Sequence, residues 1–136
     1  MFLNSLNPTE KDNFMKLALA VIKADGIIED SEMQILSAYA NEMQIPICSL
    51  DEQGDIDQII KEFAMNSALE TKRIVFVELL ALAFADGDYT AEEKAFIQQI
   101  SNAFEFDGAF IERAINLQDA YVAVYMSLVN LVEKGE

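Results

Sequence analysis

What most restricts the fold of this chain is a repeat written into it twice. Residues 17–30 read LALAVIKADGIIED and residues 78–91 read ELLALAFADGDYTA, an offset of 61 positions. Each stretch is an apolar run closed by Ala-Asp-Gly, namely Ala24-Asp25-Gly26 and Ala85-Asp86-Gly87. Seven residues after each aspartate stands a glutamate, Glu32 or Glu93. Hydrophobes follow three and four residues later, Ile35 and Leu36 against Phe96 and Ile97. Asn41 and Asn102 also correspond. The pattern describes a helical hairpin: an apolar helix, a tight turn in which glycine takes positive φ, and a second amphipathic helix. One D-G-x5-E would say little, whereas two copies with helical periodicity on both sides point to paired hairpins.

The remaining punctuation is also helical. Asn7-Pro8-Thr9-Glu10 supplies an N-cap, a proline at the first helical position and a glutamate at N3, ahead of Phe14, Leu17, Val21 and Ile22 at helical spacing. A second helix is expected over Asp30–Met43, stopped by Pro46. After a connector, Asp55 caps a short helix carrying Ile59, Ile60 and Phe63. Ser67-Ala68-Leu69-Glu70 and Thr90-Ala91-Glu92-Glu93 read as two further capping boxes, opening helices to Ala85 and to about Phe104. Asp107 caps a last helical region to about Glu133, with a break expected near Asn116-Leu117. No segment alternates with the period of a strand. The expectation is an all-α, compact single domain over residues 1–136 with six to seven helices. It is built on two helical-hairpin repeats, about 10–45 and 70–106, followed by a carboxy-terminal helical region, 107–133.

Composition narrows the function more than it names one. The 136 residues are 52% hydrophobic, enough for a real core. A formal net charge of −15 argues against nucleic-acid partners and anionic membranes, since phosphate binding needs clustered Lys and Arg. No histidine is present, which removes the commonest general base and the commonest transition-metal ligand. The lone Cys48 allows no intrachain disulfide. The amino terminus lacks the basic and apolar regions of a signal peptide. The most apolar stretch, Ala120–Val132, is too short to span a bilayer and reads as a buried helix or as one lining a homodimer interface. These features together suggest a cytoplasmic, soluble protein without direct membrane insertion.

The repeated carboxylates allow two readings. In one, Glu32 and Glu93 complete capping boxes, and Asp25 and Asp86 accept hydrogen bonds within their own turns. In the other, Asp25, Glu32, Asp86 and Glu93, helped by Glu29 and Asp88, form oxygen-rich metal sites. An aspartate at a helix C-terminus meets the negative end of the helix dipole, so it sits better with a cation or a donor beside it. Without histidine, such ligands suit Ca²⁺, Mg²⁺ or Mn²⁺ rather than Zn²⁺ or Cu²⁺. An EF-hand is excluded by register. With Asp86 and Asp88 at loop positions 3 and 5, Tyr89 stands where glycine is required and Ala95 where the bidentate glutamate belongs.

The paired motifs Ala24-Asp25-Gly26…Glu32 and Ala85-Asp86-Gly87…Glu93, spread over about residues 10–132, resemble the TerB-like family of tellurite-resistance proteins. Similar domains stand at the amino terminus of a membrane-anchored J-domain co-chaperone. The resemblance implies a compact all-helical fold of about seven helices, a role in bacterial stress response, and a metal-binding acidic surface at Asp25, Glu32, Asp86 and Glu93. Glu29 departs from the pattern, standing where the second repeat has Thr90. The functional expectation is a non-enzymatic, cation-responsive binding module. The alternative is a protein-interaction scaffold or homodimer whose acidic caps are structural and hold no metal. An enzyme fits poorly: Cys48 has no histidine to activate it, and no glycine-rich phosphate loop follows a strand.

Overall fold

The computed structural model describes residues 1–24, 26, 28, 30–46, 54–84 and 90–136. Among them are six α-helices, one 3₁₀ turn and no strand. The 3₁₀ turn is Leu3–Ser5, and the helices are α1 (Pro8–Lys23), α2 (Asp30–Met43), α3 (Ile56–Asn66), α4 (Leu69–Ala83), α5 (Ala91–Ala103) and α6 (Gly108–Lys134). The all-α expectation is met. The chain forms two compact units, Met1–Glu105 and Phe106–Glu136.

The helix starts follow local chemistry. Asn7 Oδ1 accepts from the Glu10 N–H at 2.8 Å while Glu10 Oε1 accepts from the Asn7 N–H at 3.0 Å, a complete capping box with Pro8 behind it. Asp55 accepts from the Gln58 N–H at 3.2 Å, and Asp107 from the Phe110 N–H at 2.8 Å. The capping box expected at Ser67 does not form. Ala68 is the N-cap of α4 and makes no side-chain cap bond. The Ser67 hydroxyl donates instead to Glu10 Oε2 at 2.7 Å, and its N–H closes α3 on Phe63. Ser67 stands one residue before the N-cap, and its hydroxyl proton goes to a carboxylate 57 positions away in sequence, a charge-assisted bond.

In the first unit the repeat extends through the whole core. Every buried residue of α1, from Phe14 to Ile22, has a buried counterpart 61 positions later in α4, from Val75 to Ala83. The buried set of α2, Glu32, Leu36, Tyr39, Ala40 and Met43, maps likewise onto Glu93, Ile97, Ile100, Ser101 and Phe104. Even the helix ends match. Gln44 at φ 58° and Glu105 at φ 60° both leave their helices left-handed. Their N–H groups donate to the carbonyls of Asn41 and Asn102, each at 3.2 Å. Gly26, at φ +79°, ends the first helix as expected.

Helix α1 packs against α2, α3, α4 and α5 and is the central element of the first unit. Phe14 meets Tyr39 edge-on with ring centroids 5.4 Å apart, and Phe63 of α3 meets Phe104 at 6.3 Å. Each such pair adds about 0.5–1.5 kcal/mol beyond the burial of its rings.

The second unit is essentially one helix. The break expected near Asn116-Leu117 is absent, and α6 runs unbroken for 27 residues. No proline or glycine interrupts it after Gly108, so nothing removes a backbone donor or admits a kink. The burial expected of Ala120–Val132 is also absent: no residue of α6 is buried. Taken by itself, a single helix has nothing to bury its apolar side against. Among the described residues, no helix is long and apolar enough to cross a membrane.

Candidate functional site

Two of the six carboxylates singled out in the sequence fall on described residues. Glu32 lies in the first turn of α2 and Glu93 in the first turn of α5, at equivalent places of the two repeats. Both are deeply buried, at 3% and 1% exposure. For Glu93 the local geometry is complete. Its Oε1 accepts from the Thr90 N–H at 3.2 Å and from the Thr90 hydroxyl at 3.1 Å, while Thr90 Oγ1 accepts from the Glu93 N–H at 3.1 Å. The capping box expected at Thr90 is therefore formed. The positive end of the α5 dipole lies beside that carboxylate.

Asp25, Glu29, Asp86 and Asp88 lie outside the described residues, as do Cys48 and Gly87. Among the described residues, no group of three or more His, Cys, Asp or Glu side chains is placed to hold a metal ion.

A second cluster of acidic groups was not singled out from the sequence. Glu78 of α4 is 5% exposed, and its Oε1 accepts from the Phe2 N–H at 3.2 Å and lies 3.3 Å from the Met1 α-ammonium. Glu42 of α2 takes the same ammonium on Oε1 at 2.6 Å and the Leu3 N–H on Oε2 at 2.8 Å. Together they seat the 3₁₀ turn and place Leu3 in the core. Tyr39 joins the cluster by donating its hydroxyl to the Glu78 carbonyl at 2.8 Å. Burial, reinforced by the negative charge of Glu78, pushes the Tyr39 phenol well above its ordinary range. For the Met1 amine, burial works to lower the pKa, but the hydrogen bond to Glu42 and the charge of Glu78 outweigh it. The amine is raised above its usual 8.0.

The signal for this cluster was present in the repeat. Glu78 stands where the first repeat has Leu17, and a carboxylate replacing a core leucine in an otherwise matched buried set requires a partner. That partner is the amino-terminal segment.

Three comparisons with known proteins bear on this arrangement. The model of the family described as tellurite resistance protein TerB matches residues 11–116, which takes in both hairpin repeats. A crystal structure of a tellurite resistance protein from Nostoc punctiforme is similar in fold, with a TM-score of 0.66 at 18% identity, over 92% of this chain and 81% of that one. No curated protein gives a significant match. With the repeat, the all-helical architecture and the family match in agreement, the chain belongs to the TerB family of tellurite resistance proteins.

Proposed function

We propose that this chain is a non-enzymatic binding module of a bacterial stress response, acting in the cytoplasm, whose two acidic turns take a hard divalent cation. The observation that carries this reading is the paired burial of Glu32 and Glu93 at equivalent helix starts, 61 residues apart. A carboxylate in the interior is costly unless a partner offsets its desolvation, and here one stands at each of two equivalent positions. The donor set fits a cation of this class. With no histidine in the chain, Asp25, Glu32, Asp86 and Glu93 offer oxygen alone, as Ca²⁺, Mg²⁺ and Mn²⁺ require. Glu29 and Asp88 stand close enough in sequence to add further oxygens. A bound cation would supply positive charge near Asp25 and Asp86, which follow the carboxy-terminal ends of α1 and α4 in the sequence.

The test is thermal unfolding of the full chain with each cation in turn. Mass action requires a stabilisation of about 2.7 kcal/mol at a hundredfold excess over the dissociation constant. The shift should be lost in an Asp25→Asn/Asp86→Asn variant. An equal shift in that variant, or none in the parent at millimolar metal, sinks the proposal.

A second reading has its own support. The complete Thr90–Glu93 capping box gives Glu93 a structural task without any metal, and α6 carries an exposed apolar side. On that reading the protein is an interaction scaffold or homodimer with structural caps, and its melting temperature does not respond to divalent cations.

A further inference from the structure

We infer that α6 is a self-association helix, pairing with α6 of a second copy of this chain along a heptad seam. Leu117, Tyr121, Val124, Leu128 and Leu131 are spaced 4, 3, 4 and 3 residues apart, and each is 55–60% exposed. Ala114 and Phe110 continue the same spacing towards the helix start. This alternation is the a/d pattern of a coiled coil. It keeps one stripe facing a partner only if that partner is another helix offering knobs and holes of the same period. Farthest from the seam stand Glu112, Asp119 and Glu133, the three acidic residues of the helix, with Met126 among them.

Charge selects the occupant. The chain as a whole is −15, so two copies repel one another almost everywhere. Helix α6 carries three acidic and two basic residues, a net of −1, and none of them lies between Ala120 and Val132. A basic partner would prefer the acidic surface elsewhere. An apolar stripe almost free of charge accepts a surface like itself, and a stripe that complements itself is what a two-fold dimer uses. The size is adequate too. Twenty-seven helical residues extend about 40 Å. With Tyr125 and Val132, both exposed, flanking the seam at the e positions, the apolar side widens beyond the a/d stripe itself. A stripe of that length and width is on the order of the 800 Å² per partner that stable interfaces bury.

This inference does not depend on the cation reading, and its experiment uses no metal. The full chain is examined by sedimentation velocity across a dilution series, with Val124→Glu/Leu128→Glu and Met126→Glu beside it, in a chelating buffer. Circular dichroism checks that each variant keeps its helices and its melting transition. The parent should sediment as two chains per particle. The seam variant should lose the two-chain species, and Met126→Glu, on the opposite face, should keep it. One chain per particle for the parent throughout overturns the inference, whether α6 is then covered by its own chain or by a different protein. So does a two-chain seam variant, or equal loss in Met126→Glu.

Discussion

Replacing Glu78 by leucine puts into the second repeat the residue that the first repeat carries at Leu17, and the structure states what this should cost. The Phe2 N–H bond to a charged acceptor is worth about 1.5–3 kcal/mol. The Met1 ammonium pair adds about 0.2–1 kcal/mol, because Met1 itself is exposed and its charge is screened. Against that loss of about 2–4 kcal/mol, a leucine buried at the same place returns about 1.5–3 kcal/mol. Glu78→Leu should therefore destabilise by no more than about 2.5 kcal/mol. Glu78→Ala loses the same bonds, gains no burial and leaves a cavity, so about 3–5 kcal/mol is expected. Urea unfolding with linear extrapolation measures both. The variants should also differ from the parent in pH dependence. The folded-state pKa of the Met1 amine is raised above 8.0, so its contribution is complete below pH 8 and fades as pH climbs through the raised value. Tyr39 acts in the same direction, but only above its ordinary pKa of 10. Between pH 8 and 10 the parent should lose stability faster than Glu78→Leu. Equal destabilisation by leucine and alanine, or parallel pH profiles in that window, would refute the role assigned to Glu78.

Other predictions follow from the caps and turns. Thr90→Ala should cost about 0.5–2 kcal/mol in urea unfolding by removing the acceptor for the Glu93 N–H. Ser67→Ala should leave the start of α4 unchanged in amide hydrogen exchange, since Ser67 does not cap it, and should instead loosen the amino terminus of α1 through Glu10. Gly26→Ala should cost about 1–2 kcal/mol through its left-handed backbone alone, because an added Cβ meets nothing within 4 Å. Gln44→Gly, at the equally left-handed end of α2, should raise the melting temperature slightly.

Much of this fold was legible because its signals are local. Asn7, Asp55, Thr90 and Asp107 each cap their own helix, so the residue and its effect lie within one turn. The repeat carried the core as well, since a 61-residue offset in apolar spacing became a one-to-one match of buried positions. What escaped depended on partners distant in the chain. Ser67 has the look of a cap, but Glu10, folded against it, takes its hydroxyl. Glu78 looks like a helix-surface glutamate until the amino terminus lies on it. The unbroken course of α6 was missed because Asn116 is a poor helix former, yet one such residue costs little in a helix of this length. Of the candidate cation site, the sequence showed the periodic carboxylates, and the structure adds that Glu32 and Glu93 are interior. Whether such groups hold an ion depends on three-dimensional convergence, which spacing along a chain does not encode.

What the two acidic turns do is tested most directly by calorimetric titration of Ca²⁺, Mg²⁺ and Mn²⁺ into the full chain. Binding should be saturable for at least one of the three and abolished in Asp25→Asn/Asp86→Asn, with the variant's helicity intact. The absence of binding heat at any of several temperatures, or a titration identical in parent and variant, would contradict it and leave Glu32 and Glu93 as helix caps alone.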